Sequence, residues 1–166
     1  MVKILSLLLL HGSVYAYAVD GFKIHNADLL QYVQEYMPKS GTLKISNKGL
    51  VYVDIDDNYV GEILKQLKDS SYMIHRSVSN VGTHITVMFE AEAKGKNIKE
   101  FGQQINFNPL GFYTVVMQDR EYLMLAIEAP ELTKIRAKYG LSFKPNGHTF
   151  HLAVAFRKFE DDSNDE

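Results

Sequence analysis

The sequence contains no cysteine and no tryptophan. Without cysteine the chain has no disulfide, no thiolate metal site and no cysteine nucleophile, so any catalysis must use other side chains. Only 4 of its 166 residues are proline and 11 are glycine, which excludes a collagen-like or low-complexity chain. With 46% hydrophobic and 23% charged residues, the chain has the composition of about one globular domain.

The chain also lacks a strong excess of either charge. Its 18 basic and 20 acidic residues give a net charge of −2, which argues against a strongly basic nucleic-acid clamp. Residues 159–166 contain five acidic and no basic residues, and we predict an acidic disordered tail there. Residues 19–158 then keep 17 basic and 15 acidic side chains, a net of +2, which is compatible with a phosphate ligand without arguing for one.

The N-terminus has the order of a secretory signal peptide. Lys3 gives a positive start, residues 4–10 are almost entirely apolar, and residues 16–18 have the small-x-small pattern that a signal peptidase cleaves. The apolar run is too short to span a bilayer as a helix. The alternative is a buried N-terminal strand over residues 14–17. We predict a signal peptide over residues 1–18 and therefore a secreted, extracellular protein.

Residues 19–158 combine helices and strands and contain no linker rich in proline, glycine or serine, so we expect one domain. Hydrophobic spacing and caps predict three helices: one from a cap at Asn26 to Tyr36, one from Asp57 or Asn58 to Leu67, and one from Pro130 to Tyr139 with Gly140 as its C-cap. Residues 97–103 are predicted to form a short helix or turn. Strands are predicted over 42–46, 50–54 (a hairpin with 42–46), 84–89, 105–107, 111–117, 121–127 and 149–156. Helices interrupt the strands only in places, which predicts an α+β fold.

A short pattern that occurs twice points to the chemistry. His84-Ile-Thr86 and His151-Leu-Ala153 each begin an apolar strand, and residues i and i+2 of a strand share a face. A hydroxyl beside an imidazole on a rigid strand suits a phosphate, because the hydroxyl donates a hydrogen bond and the imidazole moves a proton. Two such strands face to face would supply one base and one acid.

Two other interpretations of these histidines remain open. Both histidines fit equally well as half-buried strand residues that hydrogen-bond to backbone. A metal site formed by His84, His148 and His151 is less favourable, because residues i and i+3 in or before a strand face opposite sides.

The chain resembles the 2H phosphoesterases, a superfamily named for two H-x-[ST] strand motifs. The resemblance extends from about Asp54 to Lys158, with the motifs 67 positions apart. It includes the segment Ala129-Pro-Glu-Leu132, followed by Ile135-Arg136 and Tyr139-Gly140-Leu141, which resembles the helix and turn before the second motif. It implies a bilobal α+β fold, in which two antiparallel-sheet lobes with helices surround a central cleft.

The resemblance also implies roles for individual residues. His84 and His151 would be the acid–base pair, and Thr86 would bind a phosphoryl oxygen. The second motif departs from the family pattern, because Ala153 has no hydroxyl; loss of one preorganised donor typically costs about 10²–10³ in rate. Thr149, two residues before His151, is a candidate for the missing hydroxyl.

Four further residues are candidates for substrate binding. His148 and Lys144, in the loop before the second motif, would offer positive charge, and Tyr113 and Tyr122 would stack on a base. Their alternative roles are solvated loop residues for the first two and strand packing for the tyrosines.

These observations predict a secreted, metal-independent phosphodiesterase that acts on nucleotide or oligonucleotide phosphodiesters: 2′,3′-cyclic phosphates, 2′-5′ linkages or cyclic nucleotides. We expect no cofactor, no membrane association after signal cleavage, no stable protein partner and a monomer. The alternatives are a catalytically weakened nucleotide- or phosphate-binding protein of the same fold and a purely structural secreted domain.

Overall fold

The computed structural model describes residues 26–75 and 81–158. The predicted signal peptide (1–18) and acidic tail (159–166) lie outside these residues. Within the described ranges, no helix combines the length and apolar character that a membrane span requires.

Short helices and antiparallel strands alternate along the described chain. The helices are α1 (Ala27–Tyr36), α2 (Asn58–Leu67), α3 (Glu90–Ala93) and α4 (Pro130–Lys138), with a 3₁₀ turn at Pro145–Gly147. The strands are β1 (Ser40–Ile45), β2 (Val51–Asp54), β3 (Met73–Ile74), β4 (His84–Met88), β5 (Gln104–Asn106), β6 (Asn108–Met117), β7 (Arg120–Glu128) and β8 (His151–Lys158).

All eight strands belong to one antiparallel sheet in the order β5-β1-β2-β4-β8-β7-β6, and β3 pairs separately with β8. The strands β4 and β8 meet at the middle of the sheet through one pair, Ile85 opposite Leu152. This narrow connection divides the sheet into two halves, β5-β1-β2-β4 and β3-β8-β7-β6. The prediction of an α+β fold with antiparallel strands and helices is confirmed, and the two predicted lobes are the two halves of one continuous sheet.

The helices cover the faces of the sheet that carry the apolar strand residues. Leu29 and Val33 of α1 and Ile63 of α2 are buried in the same core cluster as Ile85 and Leu152. Helix α1 contacts β6, α2 contacts β8 and β3, and α4 contacts β4 and β5. Each half of the sheet therefore has its own helices, and the core runs continuously beneath the junction of β4 and β8.

Several local predictions agree with the structure. The Asn26 side chain accepts a hydrogen bond from the Leu29 amide at 3.0 Å and so caps α1. The strands β1 and β2 form the predicted hairpin. Pro130 opens α4, and Gly140, with φ +71°, follows its end.

Of the two alternatives for residues 97–103, a short helix or a turn, the structure has the turn. Other local predictions differ from the structure: the last strand begins at His151 instead of Thr149. The helix α3 and the two-residue strand β3 were not predicted, since both are too short to show a hydrophobic period.

Candidate active site

The strands β4 and β8, called here the motif strands, carry the two histidines on one face of the sheet. Ile85 and Leu152 are fully buried in the core, so their neighbours on either side point the opposite way. His84, Thr86, His151 and Ala153 are accordingly only partly buried. We call the face that they share the site face.

The register of the motif strands sets the arrangement of these four residues. The strands are antiparallel and Ile85 pairs with Leu152. One residue to either side, this register places Thr86 opposite His151 and His84 opposite Ala153. Each histidine therefore faces the third residue of the other motif. His151 faces the hydroxyl group of Thr86, and His84 faces the methyl group of Ala153.

The two histidine rings are held in the same way. Nδ1 of His84 lies 2.8 Å from the carbonyl oxygen of Gly82, and Nδ1 of His151 lies 2.8 Å from the carbonyl oxygen of Thr149. A carbonyl oxygen only accepts, so Nδ1 is the donor in both rings. In the neutral form this leaves Nε2 of each ring as the unprotonated nitrogen, which is able to take a proton from a substrate or a water molecule.

A carboxylate supports the turn that orients His84. Oδ1 of Asp57 accepts a hydrogen bond from the Thr83 amide at 2.7 Å, and the Thr83 carbonyl accepts one from the Ile55 amide at 3.0 Å. Gly82 has φ +71°, and a Cβ atom at this position would clash with the Asp57 carboxylate. Both hydrogen bonds go to Thr83, so they fix the residue that directly follows the carbonyl group that binds His84.

A buried arginine connects the first motif strand to the loop before the second. The Arg136 side chain is fully buried and donates to the carbonyl oxygens of Val87 in β4 (2.6 Å), Ser142 (2.6 Å) and Lys144 (3.1 Å). It also forms an ion pair with Glu92 at 2.7 Å. The guanidinium group lowers the pKa of the Glu92 carboxyl, with burial opposing it. Sequence reasoning treated this arginine only as part of a helix.

Burial makes His151 a weak base. It lowers the pKa of the His151 imidazole below its usual range; the Thr149 carbonyl partly opposes this, and the nearby His148 and His84 rings reinforce it. His151 is therefore neutral near pH 7.

His84 has a more polar surrounding. Its direct partner on β2 is Asp54, whose carboxylate accepts a hydrogen bond from Lys44 Nζ at 2.6 Å. The Tyr52 ring meets the imidazole edge-on, with 5.7 Å between ring centroids. His84 thus has a carboxylate and an aromatic ring beside it, and neither was identified from the sequence.

The structure places a third histidine, His75, on the site face. It follows β3, and its amide donates to the Val154 carbonyl oxygen of β8 at 3.3 Å. Met73 pairs with Phe156, and Phe156 pairs with Tyr122, which lies on the site face. His75 is two residues after Met73 and therefore shares that face. Sequence reasoning missed it because β3 has no period of its own.

The predicted substrate-binding residues lie in four different places. Thr149 and Lys144 line a cavity of about 350 Å³ together with Leu110, Glu128, Pro130, Thr133, Lys134 and Phe143. His148 is exposed in the loop before β8. Tyr113 is buried, which raises its pKa to about 12. Tyr122 lies beside His75, with 5.5 Å between ring centroids.

Thr149 connects the cavity to the start of the second motif strand, and His151 itself is not among the lining residues. The Phe150 carbonyl oxygen accepts a hydrogen bond from the Ile127 amide, so the β7–β8 register continues to a pairing of Thr149 with Glu128. Thr149 therefore lies two positions before His151 on the site face. Its carbonyl oxygen accepts the hydrogen bond from Nδ1 of His151, and Thr149 is also one of the residues that line the cavity.

Metal binding is not favoured by the geometry of the described chain. Over residues 26–75 and 81–158, no group of three or more His, Cys, Asp or Glu side chains is arranged to hold a metal ion. The three site-face histidines thus do not converge as ligands.

Comparison with known families gives one match. The sequence model of the family described as Swiss Army Knife, 2H phosphoesterase domain, matches residues 51–161. No curated protein and no solved structure matches the chain. The matched segment covers more than half of the sequence and contains both motif strands, so the chain belongs to the 2H phosphoesterases, a family of the phosphodiester-hydrolase type.

Proposed function

We propose that the protein hydrolyses a nucleotide or oligonucleotide phosphodiester by two-histidine acid–base catalysis, without a metal. The observation that carries this proposal is the matched orientation of His84 and His151. Each ring donates Nδ1–H to the carbonyl two residues earlier and keeps Nε2 for chemistry. The two rings stand on adjacent strands of one face, as an acid and a base around one phosphorus require.

The surroundings of the rings suggest which one acts as the base. His151 is neutral near pH 7 because burial lowers its pKa, so it is suited to accept the proton of the attacking water. His84, with Asp54 as its direct neighbour, would then donate a proton to the leaving oxygen. The water oxygen forms the new bond to phosphorus as the ester P–O bond breaks, and one proton enters and one leaves the protein.

We assign Thr86 the role of stabilising the phosphoryl group. It lies opposite His151 in the register of the motif strands, and its residue is partly exposed on the site face. Its hydroxyl would donate to a non-bridging oxygen as charge develops there.

The cavity lined by Thr149 and Lys144 suggests the substrate class. It is lined mostly by apolar groups, with Lys134 and Lys144 at its wall and the Glu128 carboxylate also present. A volume of about 350 Å³ is at the lower end of the range for small-molecule sites. We infer that a nucleobase occupies this cavity while the phosphodiester lies between the histidines.

Cleavage of defined substrates, with chelator present, tests this function. The panel comprises 2′,3′-cyclic nucleotides, 2′-5′ and 3′-5′ dinucleotides, cyclic nucleotides and ribose 2′,3′-cyclic phosphate without a base, with products read by mass spectrometry. We expect cleavage that is absent from His84→Ala and His151→Ala and that shows a higher KM for the substrate without a base. Cleavage that chelator abolishes, or that either variant retains, would contradict the proposal.

Ala153 favours a second candidate, a nucleotide-binding protein that has lost efficient turnover. Its methyl group stands opposite His84, where the family pattern has a hydroxyl. This candidate predicts binding of nucleoside monophosphates with no product from any substrate of the panel. A serine or threonine at position 153 would then restore turnover.

We also propose that the protein acts outside the cell, on the pattern of residues 1–18. The intact mass of the protein recovered from the medium of its native cells tests this. A mature chain that begins near Val19 would support export, and full-length protein confined to the cells would oppose it.

A further inference from the structure

His75 lies beside the position where the second motif lacks its hydroxyl. The His75 amide binds the carbonyl oxygen of Val154, which directly follows Ala153 on β8. Met73 and Ile74 pair with Phe156 and Ala155, so β3 runs along the same edge of β8 that β4 meets further on. This register places His75 opposite Val154, one residue from Ala153, on the edge of β8 that β4 also meets, and the ring contacts with Tyr122 and Phe156 place its side chain on the site face.

Aromatic contacts fix the His75 ring. Its centroid lies 5.5 Å from that of Tyr122 and 6.4 Å from that of Phe156, both close to perpendicular. The Arg120 guanidinium stacks on the other partner ring, Phe156, at 4.8 Å. The ring is half-buried and is part of a packed cluster at the edge of the site face.

The electrostatic surroundings keep His75 neutral. Burial is the main cause of its lowered pKa, and the charges of His84 and Arg120 contribute. A neutral imidazole carries one N–H group, which donates a hydrogen bond without changing protonation state.

The third residue of the second motif, Ala153, has no such hydrogen-bond donor in its side chain. Ala153 is partly exposed, small and opposite His84. A phosphoryl group held between the two motif histidines would have Thr86 on one side and a methyl group on the other. The nearby His75 ring is the polar side chain that adjoins this gap from β3.

We propose that His75 takes the place of the missing motif hydroxyl and donates a hydrogen bond to the second non-bridging phosphoryl oxygen. This inference rests on the proposed phosphodiester chemistry. His75 moves no proton in the reaction; it contacts the phosphoryl group as it gains negative charge, while His84 and His151 perform acid–base catalysis. Its role is equivalent to that of Thr86 at the first motif.

Four variants test the assignment. His75→Ala removes the donor, His75→Gln keeps an N–H donor that does not titrate, Ala153→Ser restores the motif hydroxyl, and the fourth combines His75→Ala with Ala153→Ser. Ile74→Ala is the matched control, because Ile74 is on the same short strand and is 45% exposed. The substrate is the 2′,3′-cyclic nucleotide or dinucleotide that the wild type cleaves fastest.

We expect His75→Ala to lower kcat by roughly 10²-fold, the usual cost of one donor to a developing oxyanion. His75→Gln should retain most of the rate, and Ala153→Ser should recover at least about tenfold in the His75→Ala background, since two groups that serve one oxygen are not additive. The inference is overturned if His75→Ala matches Ile74→Ala in kcat, or if Ala153→Ser rescues nothing.

Binding separates this inference from the proposed function. If the wild type cleaves no member of the panel, the proposed hydrolysis fails, and the affinity for a nucleoside 3′-monophosphate measured by calorimetry then tests His75 alone. A wild-type affinity that falls several-fold in His75→Ala and returns in the double variant supports the donor role. Equal affinities, or no binding by the wild type, overturn it.

Discussion

The Asp57 carboxylate accepts a hydrogen bond from the backbone amide of Thr83 at 2.7 Å, across 26 residues of sequence. Asp57 lies at the start of α2, but its side chain makes no capping bond to that helix. It instead holds the turn whose Gly82 carbonyl orients His84. Asp57 is therefore a positioning residue for the first motif histidine.

Replacing Asp57 by alanine should lower kcat by roughly 10²-fold with little change in KM, because a small displacement of a catalytic group has a cost of that order. Asp57→Asn keeps an oxygen acceptor and should retain most of the activity. The kinetic constants of the two variants, with melting temperatures for comparison, check this. Equal losses in both variants would show that the charge, not the orientation of the turn, matters.

Gly82 should tolerate no side chain. At φ +71° an alanine is strained by about 1–2 kcal/mol, and its Cβ would also clash with the Asp57 carboxylate. Gly140 has the same φ and open space around it, so Gly140→Ala is the matched control for strain alone. We expect Gly82→Ala to lose more stability than Gly140→Ala in urea unfolding and, unlike it, to lose activity. Similar behaviour of the two variants would contradict the contact with Asp57.

Arg136 should be the most sensitive charged residue for stability. Arg136→Met leaves Glu92 and three backbone carbonyls without their donor, and breaking such a buried pair typically costs about 3–5 kcal/mol. Lys138→Met, on the same helix, removes the ion pair between the exposed Lys138 ammonium and Glu100 and should cost far less, because water screens an exposed charge. Urea unfolding of both variants checks the difference, and a loss below 1 kcal/mol for Arg136→Met would refute the structural role.

Stability should fall as the pH drops below about 6.5, the usual pKa of histidine. Burial lowers the pKa of both His75 and His151 in the folded protein, so the unfolded chain binds protons first and acid favours unfolding. The free energy of unfolding, measured by urea at intervals from pH 7.5 to pH 5, should decline, and less steeply in His75→Gln. The pKa of Glu92 is also lowered, but this carboxyl group affects the free energy of unfolding only at pH values below the measured range. A decline that is equally steep in His75→Gln would contradict the buried neutral form of His75.

The sequence predicted the parts of the site that have a local period. Alternation in β4 and β8 placed His84 with Thr86, and His151 with Ala153, since apolar neighbours in a strand identify its buried face. It also predicted three helices and most strands. The pairing of the two motif strands was implied by the family resemblance and not by the residues themselves.

The remaining parts depend on contacts that join distant segments. His75 belongs to the site only because β3 pairs with β8, and a two-residue strand has no pattern to reveal this. Asp57 looks like an ordinary helix-capping residue in the sequence. From the sequence, Arg136 would be expected in solvent, as arginine usually is. Only the folded structure shows that it binds three backbone carbonyl groups and Glu92.

The most direct test of the account is whether His84 and His151 work as one unit. The measurement is kcat for the best substrate, with chelator present, in His84→Ala, His151→Ala and the double variant. Each single replacement should lower kcat by roughly 10²–10⁴-fold, the contribution of positioned acid–base catalysis, and the double variant should lose little more than either single variant. Near-wild-type turnover in either single variant, or losses that multiply in the double variant, would contradict a shared two-histidine mechanism.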